Sequence, residues 1–198
     1  MATPMRTTLP WTFVALLTGL PAQELPSRPL LTPPAADGNA TSTMPETAPN
    51  LAIALYRSGR PAEAIAAAER AVEMAPREQT ALDNLARFAF AQGKYALALQ
   101  AAEHWVAAQP TAATAWQMLA EVLLATDETP VRTRARDAAR KAAELAADPE
   151  TLLLLARATA ACGERIQAEE LLERLRATPS LSAELSARID QLAAQLTK

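Results

Sequence analysis

A set of residues recurs at intervals of 34 along the middle of the chain. Gly59 is followed by Gly93, Leu51 by Leu85, Ala52 by Ala86, Ala64 by Ala98, Ala68 by Ala102 and Pro76 by Pro110, each pair 34 positions apart. A period of that length holds two short helices with their turns, and a unit so small cannot bury an apolar face alone. Stacked copies can, so the period restricts the chain to a quasi-linear array of helix-turn-helix units. Composition points the same way. Half of the residues are apolar but only 4% are aromatic, so the core is built from Ala and Leu, which are strong helix formers and poor strand formers.

Two further copies follow with drift. One opens with Trp116, Leu119, Ala120 and Leu123, then carries a turn about three residues longer through "TDETPVRT" before Ala135, Ala139 and Ala142. The next has Leu152, Leu155, Ala156, Gly163, Ala168 and Leu172. The units are expected at about 45–78, 79–112, 113–148 and 149–180. Small residues such as Ala52 and Ala64 let paired helices approach closely, where larger side chains would hold them apart. Gly59, Gly93 and Gly163 suit the positive φ of a helix end, and the six prolines after residue 50 all sit at expected helix boundaries.

The units resemble the tetratricopeptide repeat family over about residues 45–180. The resemblance rests on the Leu-small pairs of the first helix, the turn Gly, the helix-B alanines, the exit Pro76 and Pro110, and the aromatic residues Trp116 and Tyr95. It departs at Leu55, Ala89 and Leu123, where the family favours Tyr, and at Ala68, Ala102 and Ala139, where it favours a helix-B aromatic. What it implies is an all-α, right-handed α-solenoid of about four repeats. The amphipathic segment 181–197, with Leu181, Leu185, Ile189, Leu192 and Leu196 on one stripe and Ser180 or Ser182 as N-cap, follows as a C-terminal capping helix. The rival reading of that stripe is a dimerisation surface.

The resemblance also implies where a partner sits, since in this family the concave face is lined mainly by helix A. Carried over, those positions are Ile53 and Tyr56, then Asp83, Arg87 and Phe90, then Gln117, Glu121 and Leu124, then Leu153 and Arg157. A groove of aromatic, basic and acidic side chains suits an extended peptide or short helix of a protein partner. The other reading of Tyr56 and Phe90 is that they pack between neighbouring repeats. Family members that grip a C-terminal carboxylate do so through Lys, Asn and Arg on helix A. Here only Asn84 matches, with Pro49, Ile53, Thr114 and Met118 at the other positions, so that cochaperone role is not expected.

The first fifty residues are a different material. Nine of the 15 prolines lie there, which bars long helices and leaves no core to bury, so residues 24–46 read as a disordered linker. Before it, Met5 to Gln23 has one positive charge at Arg6, a mostly apolar run from Leu9 to Leu20 and a small residue at Ala22. That is the layout of a secretory signal peptide, with Leu20 and Pro10 as imperfections, and it is short for a membrane span. Periplasmic or secreted location is the expectation, cytoplasmic the alternative. An excess of arginine over lysine, 16 to 3, is associated with a GC-rich bacterial genome.

Chemistry is hard to place on this chain. The five glycines are too dispersed for a phosphate loop. His104 is the only histidine, which rules out His-based zinc motifs, and Cys162 has no neighbour at ligand spacing. No enzymatic activity, cofactor or metal is expected. A net charge of -3 without a long basic run argues against nucleic acid. The stripe Arg132, Arg136, Arg140 reads as a solvated face balanced by Asp137 and Glu144. Three functions follow as expectations: a monomeric adaptor for a protein or peptide partner, a self-associating structural protein, and an assembly or secretion factor held near a membrane by an uncleaved N-terminus.

Overall fold

The computed structural model describes residues 44–126, 129–179 and 181–197, and the signal peptide and nearly all of the linker expected from the sequence lie outside them. The described residues form α-helices α1 (Met44–Arg57), α2 (Pro61–Met74), α3 (Gln79–Ala91), α4 (Tyr95–Ala108), α5 (Ala113–Thr126), α6 (Thr129–Leu145), α7 (Pro149–Ala161), α8 (Arg165–Arg176) and α9 (Ala183–Leu196). The order is the expected four helix pairs and one further helix, an all-α repeat array. Helix α1 opens at Met44, so the last residues of the expected linker are helical; Pro45 falls in the first turn, where a missing N–H leaves no bond unmade.

The punctuation works as local rules require. Gly93 has φ +68°, and the residue after it closes the helix end, the Lys94 N–H reaching the Ala89 carbonyl at 2.9 Å. Gly59 repeats the arrangement with φ +75° and Arg60 bonded to the Leu55 carbonyl at 3.0 Å. Such a six-residue closure needs one left-handed residue, and glycine takes that conformation without a Cβ penalty. Pro61 and Pro149 open α2 and α7, and Pro76 and Pro110 follow the C-caps of α2 and α4. The third pair departs from expectation. Its extra residues do not lengthen the turn: α5 runs to Thr126, α6 starts at Thr129 with Pro130 second, and the insertion becomes added helix in a 17-residue α6. Proline in a first turn starts a helix, so a Pro read as part of a long turn is the beginning of the next element.

Within each pair the helices meet through alanine. Ala52, Ala64 and Ala68, then Ala86, Ala98 and Ala102, are fully buried, as are Ala120, Ala135 and Ala139. The aromatic that the core does contain in α4 is Trp105, 1% exposed, one turn beyond Ala102. Asn84 is buried too, and its amide donates to the Pro49 carbonyl at 3.3 Å, tying α3 to α1. A buried amide with a backbone partner is a structural feature, and this removes Asn84 from the surface.

Helices α1, α3, α5 and α7 each touch the next member of their own series, and α9 continues the series against α7. The backbones of α2, α4, α6 and α8 come close only to the inner series and not to one another. Layers that differ this way bend, with the mutually touching helices on the inside, so α1, α3, α5, α7 and α9 line the concave face.

The last helix is held as a cap. The Ser182 hydroxyl accepts from the Leu185 N–H at 3.2 Å. Leu185, Ile189 and Leu192 are buried in a core with Leu153, Ala156, Leu172 and Leu175. Arg176 to Asp190 at 3.0 Å and Arg188 to Glu150 at 2.8 Å flank it. Among the described residues no helix is long and apolar enough to cross a membrane.

Candidate functional site

Helix periodicity places residues three or four apart on one side, so Asp83, Arg87 and Phe90 on α3 share a face with Gln117, Glu121 and Leu124 on the adjoining α5. Four of the ten expected contact residues meet in one cleft. Tyr56 from α1, Arg87 and Phe90 from α3, and Glu121 from α5 line a concavity of about 310 Å³ together with Phe88, Ala91 and Met118. The ring of Tyr56 stacks on Phe88 with centroids 4.3 Å apart and planes 7° from parallel. Phe90 meets Tyr95 edge to face at 5.8 Å. Tyr56 and Phe90 thus pack between elements, and each keeps a partly exposed face in the cleft.

The charges differ in how they are held. Arg87 is fixed by Asp83, one turn earlier, at 2.5 Å, with 54% of the Arg87 side chain still exposed. A pair so exposed contributes little stability, about 0.2–0.5 kcal/mol on a helix; its effect is to orient the guanidinium. Glu121 is half-buried, and among the described residues it has no ion pair or hydrogen-bond partner. The cleft thus has an aromatic and thioether wall, an oriented cation and an unpaired carboxylate.

The remaining expected residues are elsewhere. Gln117 donates to the Thr151 hydroxyl, a bond between α5 and α7. Ile53 and Leu124 pack partly into the core. Leu153 does not face a partner: it is fully buried beneath α9. Arg157 lines a separate concavity of about 300 Å³ between α7 and α9, with Arg188, Gln191 and Gln195 at its rim. The arginine stripe of α6 is engaged as a structural face, since Arg136 binds Asp137 and Glu164, and Arg140 approaches Asp137 at 3.5 Å. Hydrogen bonding to Asp137 in particular raises the Arg136 pKa further. Glu144 pairs with Lys141 instead. The cleft residues that sequence reasoning missed are Phe88 and Met118, both nearly buried, and the exposed Ala91. Cys162 is half-buried at the C-cap of α7. Among the described residues no group of three or more His, Cys, Asp or Glu side chains is placed to hold a metal ion.

Residues 50–113, which carry the first two helix pairs apart from the start of α1, match the profile of the tetratricopeptide repeat. That stretch is built of tetratricopeptide repeats. Solved structures superpose on the chain well beyond those residues. The thermophilic TPR protein TTC0263 of Thermus thermophilus is 23% identical over 77% of this chain and 82% of its own, with a TM-score of 0.64. MamA of Desulfovibrio magneticus RS-1 is 21% identical over 69% and 78%, with a TM-score of 0.60. YrrB, described as a TPR protein with an unusual peptide-binding site, is 19% identical over 75% of each chain, with a TM-score of 0.60. At these identities the likeness concerns the fold. No curated protein matches the chain by sequence.

Proposed function

We propose that this tetratricopeptide repeat protein is a non-enzymatic adaptor that binds an extended peptide or short helix of a protein partner along its concave face. The observation that carries the reading is the cleft of Tyr56, Phe88, Phe90 and Met118, which offers an apolar pocket beside an oriented Arg87 and an unpaired Glu121. An aromatic or branched side chain of the partner fills the pocket, and a basic residue next to it takes the free carboxylate. Toward α9, Arg157 and the Gln191 and Gln195 amides suit an acidic residue of the same segment. That a fold relative, YrrB, is described as binding peptide supports the class of ligand.

The burial of the α9 stripe against α7 and α8 supports a monomer, since the surface that a dimerisation helix would use is already covered. Export rests on the sequence of residues 5–23, and the intact mass of the exported chain tests it: a mature form beginning near Gln23 supports cleavage.

The binding site is tested by capturing proteins from source-cell extract on the full chain and on an Arg87→Glu, Phe90→Ala double variant with unchanged helical circular dichroism. A partner retained by the first and lost by the second supports the cleft. Identical captures would count against it.

A further inference from the structure

The outer layer carries a second cleft. Because the backbones of α2, α4, α6 and α8 stay apart from one another, three gaps separate them. Side chains cross two of these gaps with an ion pair: Arg134 of α6 reaches Glu103 of α4 at 2.6 Å, and Arg136 of α6 reaches Glu164 at the N-cap of α8. Between α2 and α4 there is no such pair among the described residues. That gap is instead an open cleft of about 370 Å³ floored by α3. The half-buried Val72 and Leu97 make its apolar surface above the buried Leu82 and Leu85, and Glu69 and Glu73 stand one helical turn apart on its α2 edge. Among the described residues neither carboxylate has a cation or a hydrogen-bond donor. His104 and Gln100 form the opposite edge on α4.

The other two gaps show what this one lacks, a cation brought by the neighbouring element. We propose that the α2–α4 cleft takes that cation from outside, as the docking site for a basic amphipathic segment of a second protein. Two Lys or Arg residues one helical turn apart pair with Glu69 and Glu73, and leucine-like side chains between them cover the apolar floor. The site lies on the face opposite the concave cleft and does not depend on it. Together the two surfaces let one chain hold two partners at once.

The chain supplies its own reporter. His104 is the sole histidine and sits on the cleft edge, so its ring signals in an NMR spectrum of the full-length protein read occupancy of this cleft alone. The probe is the peptide acetyl-Lys-Leu-Leu-Lys-Lys-Leu-amide, titrated at low salt. The proposal expects saturable shifts of the His104 ring and of amides in α2 and α4. Glu69→Gln with Glu73→Gln is expected to weaken binding about tenfold, each ion pair contributing a factor of roughly three. A charge-matched control, Glu170→Gln with Glu184→Gln, is expected to change it less than twofold, and Phe90→Ala not at all. Replacing the peptide leucines by serine is expected to abolish the shifts. Equal weakening in the control variant would overturn the proposal, because it would mean attraction to net charge alone. Unmoved His104 signals would overturn it too, as would signals that change on dilution without peptide, which would show a second copy of this chain in the cleft.

Discussion

Ile189 tests how the array is closed. It is 1% exposed and sits in the centre of the core that α9 shares with α7 and α8. Ile189→Ala removes three buried carbons at about 0.8 kcal/mol each, and incomplete collapse of the space left behind brings the expected loss to about 3 kcal/mol. In a stacked array stability is a sum of unit and neighbour terms, so this loss falls on α7, α8 and α9 rather than on the whole chain. Trp105 and Trp116 lie in α4 and α5 and report the middle of the array once Trp11→Phe removes the remaining tryptophan. In that background urea should separate two transitions: helical circular dichroism begins to fall at lower denaturant than tryptophan fluorescence. Coincident transitions shifted by less than about 1 kcal/mol would refute the capping argument. So would light scattering that shows a dimer of the parent chain dispersed by the substitution, because α9 would then be stabilising an interface between copies.

Gly93→Ala meets nothing within 4 Å of the new Cβ but keeps φ at +68°, so its cost is backbone strain of about 1 kcal/mol, read as a lower urea midpoint; an unchanged midpoint would show that the turn tolerates a side chain. Asn84→Ala removes the buried donor to Pro49 and is expected to lose about 1–2 kcal/mol in the same assay, with faster hydrogen exchange in α1. The hydrogen bond from Arg60 holds the Glu63 carboxyl below its ordinary pKa. A depressed folded pKa stabilises above the ordinary carboxylate value and loses that contribution as pH falls through the folded one. A carbon-detected NMR titration should therefore place Glu63 below an unpaired glutamate, and Arg60→Ala should return it.

The array was legible because its signals are local. Glycine at a left-handed position, proline at a boundary and alanine at a close helix contact each follow from the residue's own geometry, and each repeats at Gly59 and Gly93, Pro76 and Pro110, Ala52 and Ala86. The third turn misled because Pro130 opens α6 and so adds helix where a loop was expected. The candidate site was legible by position along helix A for Tyr56, Arg87, Phe90 and Glu121. Leu153 failed because the same register does not know that α9 lies over it. Phe88 and Met118 were missed for the opposite reason: their spacing reads as core, and they are nearly buried, yet one edge of each reaches the cleft. The outer cleft left no signal in the sequence, since it consists of the absence of an ion pair that neighbouring gaps possess.

Site-specific photo-crosslinking addresses the concave surface most directly. Ala91 lines the cleft and is exposed, and Lys141 is exposed on α6 in the outer layer. With benzoylphenylalanine at either position in the full chain, illumination in source cells should join the partner at position 91 and leave position 141 without adduct. Adducts at 141 but not at 91, or equally at both, would contradict binding in the cleft of Tyr56, Phe88 and Phe90.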